Sequence, residues 1–201
     1  MELGLTRKPH RCVAFAITMA GLLSACASEG SNINDDPNAG TQQQQYDTLL
    51  QRPNIEQVTD TYQKALQEIK QALTKTFDLP QWEQRDDTPI GASACGFDFP
   101  DVHLPDGIAR SISGGFSRSR IPEDRWEEAV EIVTDVAVNY GFQGPERVAD
   151  EPGNREIRYF DTAGSRISYG QVKNMSISIR TGCHLTPEAH QRGGPPPEET
   201  R

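Results

Sequence analysis

Asn174-Met175-Ser176-Ile177-Ser178-Ile179-Arg180 decides the fold class. Met175, Ile177 and Ile179 alternate with Ser176, Ser178 and Arg180, the period-two pattern of a strand that is buried on one face and wet on the other. Upstream, the stretches 146–150, 156–161 and 165–170 read as further strands, separated by Pro152-Gly153-Asn154 and Ala163-Gly164. Turn signals this short join neighbours in an antiparallel meander. Farther back, Ile108, Arg110 and Ile112 alternate with Ala109, Ser111 and Ser113 as one more strand.

Something apolar must cover the buried face of such a sheet, and two stretches have the 3.6-residue period to do it. Ile55, Val58, Tyr62, Leu66, Ile69 and Leu73 recur at intervals of three and four. Asn54 and Gln57 form a capping box in front of them, and Pro80 stops the helix. Trp126, Val130, Val133 and Ala137 mark the second helix, with Glu123, Asp124, Glu127 and Glu128 favourably placed near its positive end and Gly141 as its C-terminal cap. The expectation is an α+β domain, an antiparallel sheet with two main helices on one face.

The N-terminus carries a different signal. Arg7, Lys8 and Arg11 precede a short apolar run over 12–23. A hydrocarbon core needs about 20 apolar residues in a helix, so this run reads as an export signal and not a span. It ends Leu23-Ser24-Ala25-Cys26, which resembles the lipobox of bacterial lipoproteins. That resemblance implies cleavage before Cys26, a diacylglyceryl thioether on its sulfur and acylation of the new N-terminus. Two or three acyl chains anchor stably where one does not, so the expected location is the outer leaflet of the cell membrane, with the domain facing the envelope.

The expected organisation is a signal peptide over 1–25, a flexible tether over 26–53, a globular domain over 54–185 and a disordered tail over 186–201. The tether stretch is poor in apolar residues and carries Gln42-Gln43-Gln44-Gln45; the tail contains Gly193-Gly194-Pro195-Pro196-Pro197. Acidic residues outnumber basic ones 29 to 20, a net charge of −9. Losing residues 1–25 removes Arg7, Lys8 and Arg11 against Glu2 and leaves about −11. Nucleic acid is excluded as a partner, because it needs a basic footprint. A mean hydropathy of −0.64 excludes a polytopic membrane protein.

Four cysteines are present. Cys12 leaves with the signal and Cys26 carries lipid, which leaves Cys95 and Cys183. In an oxidising compartment such a pair reads as a disulfide. Closing a loop of about 90 residues contributes on the order of 4 kcal/mol in the chain-entropy picture. Two free thiols or a Cys–His metal site are the alternatives at these positions.

Five stretches together resemble the LppA-type lipoproteins of mycobacteria and their relatives. They are the lipobox at Cys26, the helix opening Gln51-Arg52-Pro53-Asn54-Ile55-Glu56-Gln57, and Gly91-Ala92-Ser93-Ala94-Cys95-Gly96. The others are the Trp126 helix ending Tyr140-Gly141-Phe142, and Ser178-Ile179-Arg180-Thr181-Gly182-Cys183-His184-Leu185. The resemblance implies a membrane-anchored envelope protein and the cysteine pair. It carries no catalytic residue with it.

Candidate chemistry is sparse. A Cys95–Cys183 bond would draw His184 toward Asp98 and Asp101, with His103 in the same loop, a neighbourhood able to hold a cation or a His–Asp pair. A solvated loop is the plainer reading of those residues. Ser111 to Arg120 mixes glycine, hydroxyls and arginines as an anion nest would, although a flexible strand-to-helix loop is the favoured reading of it. Trp82 and Trp126 read as core aromatics. No nucleophile-elbow, zincin or Walker pattern occurs, so no catalytic residue, metal ligand or cofactor is assigned. The expected role is a non-enzymatic binding module held to membrane lipid through Cys26, with envelope proteins or a small ligand as partners. A carrier of a lipid or other apolar ligand stands second, and an envelope hydrolase working from His184 third.

Overall fold

The computed structural model describes residues 40–84 and 89–197. The expected signal peptide, the lipidation at Cys26 and the first part of the expected tether lie outside the described residues. Two long helices carry the apolar stripes. Helix α2 (Ile55–Phe77) opens on Asn54, whose side chain accepts from the amides of Glu56 and Gln57 while the Gln57 side-chain oxygen accepts from the Asn54 amide. It buries Ile55, Val58, Tyr62, Ala65, Leu66, Ile69 and Leu73, and it ends at Asp78 in the left-handed region, two residues before Pro80. Helix α3 (Trp126–Asn139) buries Trp126, Ala129, Val130, Val133 and Ala137. Gly141, at φ +84°, turns the chain away after it.

Among the described residues, seven strands form one antiparallel sheet: β1 (Ile90–Ala94), β2 (Gly107–Ser117), β3 (Gln143–Glu151), β4 (Asn154–Phe160), β5 (Arg166–Gln171), β6 (Met175–Arg180) and β7 (His184–Leu185). Their order is β1-β2-β6-β5-β4-β3, with β7 beside β2. The last four long strands run as the expected meander, and β2 closes onto β6 at its end. Met175, Ile177 and Ile179 of β6, Ile167 and Tyr169 of β5, and Ile157 and Tyr159 of β4 join α2 and α3 in one core. The indole of Trp126 stacks on Tyr169, with centroids 5.4 Å apart and planes 6° from parallel. Trp82 is half-buried at the margin of this core and donates to Thr74 Oγ1.

The structure corrects the expected boundaries at both ends. Residues 42–50, placed in the tether, form helix α1 (Gln42–Leu50) under a Thr41–Gln44 capping box, with Gln45, Tyr46 and Leu49 buried. Two apolar side chains three residues apart suffice to dock one helical face. Gln45 adds a pair of hydrogen bonds to Asp101, and Tyr46 donates to Asp106 at 2.5 Å. Residues 187–192, placed in the tail, form helix α4 (Pro187–Arg192), capped by Thr186, with Ala189 buried and Arg192 paired to Asp106. Both helices gather with Val102, Cys183 and Leu185 in a second, smaller apolar cluster.

The stretch 111–117, considered as flexible loop or nest, is the second half of β2. A bulge at Gly114-Gly115 keeps it in the sheet. A Cβ at Gly114 would lie 2.5 Å from Ile177 Cγ2 and 2.9 Å from the Ile177 carbonyl oxygen on β6, and 3.1 Å from Leu66 Cδ2 on α2, so a side chain here would push against both the sheet and the helix. The amide of Phe116 is spent on the carbonyl of Glu83. Arg118 and Arg120 are spent on Glu83 and Glu123.

Candidate ligand face and its surroundings

Strand alternation gives the sheet two unlike faces. One is sealed by α2 and α3. On the other, the register sets Ser113 opposite Ser178, Ser178 opposite Ser168, and Ser168 opposite Arg158, a row of three small hydroxyls on β2, β6 and β5 that ends on Arg158 of β4. The neighbouring row carries Ser111, Arg180, Arg166 and Phe160. A groove of about 550 Å³ runs over this face, lined among others by Phe116, Ser168, Gly170, Asn174, Ser176 and Ser178. The hydroxyls of Ser168, Ser176 and Ser178 have no hydrogen-bond partner among the described residues. A flat surface of unspent hydroxyls can donate to or accept from an incoming polar ligand and loses little side-chain entropy in doing so.

The cation neighbourhood expected from Asp98, Asp101, His103 and His184 does not assemble. His184 is 1% exposed and points to the start of α2, where its Nδ1 meets the Pro53 carbonyl at 2.8 Å. Burial pushes its pKa below the ordinary value, against a smaller upward pull from that carbonyl. Asp101 is engaged by Gln45, and His103 lines an apolar groove of about 480 Å³ with Phe99, Pro100, Val102 and Leu104. Asp98 stays beside the disulfide. No set of three or more His, Cys, Asp or Glu side chains able to hold a metal occurs among the described residues. The hydrolase reading loses its starting group, since the His184 imidazole is buried against the start of α2.

Cys95 and Cys183 are bonded, with Cα atoms 5.1 Å apart. The bond ties the end of β1 to the start of β7, the first strand to the last. Behind it lies a polar clamp that sequence reasoning did not find. Tyr62 donates to Asp161 and contacts Ser165 Oγ at 3.2 Å. Asp161 accepts from the amides of Ala163 and Ser165, closing the β4–β5 turn. Arg52 donates to the carbonyls of Ala163 and Cys183. Burial and the Asp161 carboxylate push the Tyr62 phenol well above its ordinary pKa, so it stays a donor at all physiological pH. Ser165 is fully buried, and the set holds the α1–α2 junction on the sheet. The turn itself was legible in Ala163-Gly164. Arg52 reaches more than 100 residues along the chain, and no local pattern announces that.

A family model for LppA, described as a lipoprotein confined to pathogenic Mycobacterium, matches residues 30–187, from before α1 to the first turn of α4. The chain belongs to the LppA family. The crystal structure of LppA from Mycobacterium tuberculosis matches with a TM-score of 0.59 at 17% identity, covering 77% of this chain and 92% of that one. At that identity the likeness concerns the fold. No curated protein matches the chain. Membership of the LppA family makes this a mycobacterial-type lipoprotein, and lipoproteins associate with envelope membranes. No described helix is long and apolar enough to cross one. The match begins four residues beyond Cys26, so the modified residue itself rests on the Leu23-Ser24-Ala25-Cys26 pattern.

Proposed function

We propose that this LppA-family protein is anchored through acylated Cys26 to the outer leaflet and works as a non-enzymatic binding module, with the serine-paved face of its sheet as the ligand surface. One observation supports this reading above the rest. The sheet is sealed on one side by α2 and α3, while its other side carries a groove of about 550 Å³ with hydroxyls that have no partner among the described residues. Partners are envelope proteins or a small polar ligand. Nucleic acid does not fit a chain of net charge −9.

The test places a photo-crosslinking residue at Ser178, in the groove, and for comparison at exposed Gln63 on α2. Reaction in intact envelopes is expected to yield a discrete adduct from Ser178 and none from Gln63. Adducts from Gln63 alone, or equally from both, overturn the assignment of the face. The denatured mass of the same preparation reports acylation at Cys26.

A carrier of apolar ligands is the second reading. The groove beside Phe99, Pro100, Val102 and Leu104 favours it, Leu104 being 60% exposed. A bound apolar molecule in the native mass spectrum, lost on denaturation, would put this reading first.

A further inference from the structure

We infer that the open face of the sheet carries an oxyanion site at Arg166 and Arg180, built to hold a phosphate group of a ligand. The two residues are direct cross-strand partners on β5 and β6. Like charges set opposite each other on a sheet repel, and a domain with an excess of carboxylates has ample means to neutralise them. It does so elsewhere. Arg110 is held by Glu56, Arg118 by Glu83, Arg125 by Glu128, Arg147 by Glu127, Arg158 by Glu156 and Arg192 by Asp106. Arg120 and Arg155 share Glu123, and Arg52 is spent on two carbonyls. Arg166 and Arg180 alone among the described arginines have no hydrogen-bond or ion-pair partner.

The second observation is at the atom. Arg166 Nε is buried and without a hydrogen-bond partner, a costly state for a charged donor unless something outside the domain completes it. Both side chains line a cavity of about 230 Å³ with Thr181, Gly182, Gly164 and Asp98. That is below the range of whole drug-sized ligand pockets, and suits one anionic group of a larger molecule. A guanidinium presents its N–H groups as a planar fork that matches two oxygens of a phosphate at once. The backbone nearby adds no donor, because the Gly182 amide is given to Ser165 Oγ and the Thr181 amide to the Arg110 carbonyl. Recognition therefore falls to the two side chains, with the Asp98 carboxylate opposing from the wall. The inference deepens the proposed function and rests on it for the site's role, while binding of the bare anion is measurable by itself.

The experiment titrates the full chain in detergent micelles with inorganic phosphate at constant ionic strength, chloride serving as the control, and follows the Arg166 Nε–Hε resonance. Saturable binding that chloride does not reproduce is expected. Arg166→Gln and Arg180→Gln should each weaken it by about tenfold or more, given the strength of charge-assisted hydrogen bonds, and Arg118→Gln, outside the cavity, should leave it unchanged. Because Arg180 is exposed, its variant keeps the test valid should Arg166→Gln fail to fold. Asp98→Asn should strengthen binding; a marked fall in melting temperature with no gain in affinity would make Asp98 the arginines' internal partner and overturn the site. Absence of saturable binding, or equal loss in Arg118→Gln, also overturns it. Vesicles of phosphatidylcholine with and without phosphatidic acid separate a lipid headgroup from a soluble phosphate as the source. Phosphate binding without a Ser178 adduct would retain the site and discard the face as a partner surface. A Ser178 adduct without phosphate binding would do the reverse.

Discussion

A Cβ at Gly182 would lie 1.9 Å from the Ala163 carbonyl oxygen, a backbone atom that Arg52 already holds. Gly182→Ala therefore has no flexible neighbour to displace and should cost about 1–3 kcal/mol of overpacking strain, read as a lower urea midpoint with an unchanged slope. His184, two residues on, makes a prediction in pH. Its buried imidazole is kept neutral by desolvation, reinforced by Arg52 and opposed by the Pro53 carbonyl and Asp161. With the folded-state pKa below the ordinary 6.5, the unfolded chain takes up the proton first as pH falls through that value. The contribution is complete above 6.5 and declines toward acid. His184→Asn keeps a donor toward Pro53 and removes the titration. The fall of unfolding free energy just below pH 6.5 should then be shallower than in the wild type. An unchanged slope would move the acid sensitivity to carboxylates such as Glu56, which Arg110 holds below the ordinary range and which act in a lower window.

Helix α1 is the element on which sequence and structure differ most. Were residues 42–50 a tether, Leu49→Ala would be silent. Since Leu49 is fully buried against Leu185 and Ala189 in the smaller cluster, the substitution should cost about 2–4 kcal/mol, and amide exchange in 42–50 should accelerate before that of α2. The longer elements were legible because their periods are long and dense: seven buried apolar positions in α2, and strict alternation in β6. Helices α1 and α4 were not, because four glutamines in one case and a Gly-Pro end in the other mask a few apolar residues, and docking through Tyr46–Asp106 and Arg192–Asp106 is tertiary. Glycine hid the second half of β2 for a different reason, since Gly114 serves the packing of α2 and Gly115, at φ +88°, the bulge. Of the candidate site, the serine alternation was on the page of the sequence, but its pairing into rows needs the strand order. The expected His184–Asp98 approach failed because consecutive residues in extended chain point to opposite sides: with Cys183 turned toward Cys95, His184 faces α2.

Over the whole molecule, the disulfide spans 88 residues and encloses β2 through β6 together with α3. Its effect is greatest on the unfolded chain, where the long loop would otherwise be free, and the chain-entropy relation gives about 4 kcal/mol. Set against a domain stability of about 5–15 kcal/mol, that is a large share but not the whole, because the main cluster under α2 and α3 does not include either cysteine. Cys95→Ala with Cys183→Ala should therefore still fold, with the melting transition lowered and the far-ultraviolet dichroism kept. Reductant acting on the wild type should reproduce the same shift. If the double variant is destabilised while the reduced wild type is not, the loss belongs to packing of the cysteines against Val102, Leu185 and α1 rather than to the cross-link. If both unfold, the sheet depends on the staple, and the domain would persist only where the compartment keeps the bond oxidised. The proposed outer-leaflet anchoring would meet that condition, and the energetic balance favours the first outcome: a core that folds alone, with the staple fixing β1 and β7 at the end of the sheet where the Arg166–Arg180 cavity opens.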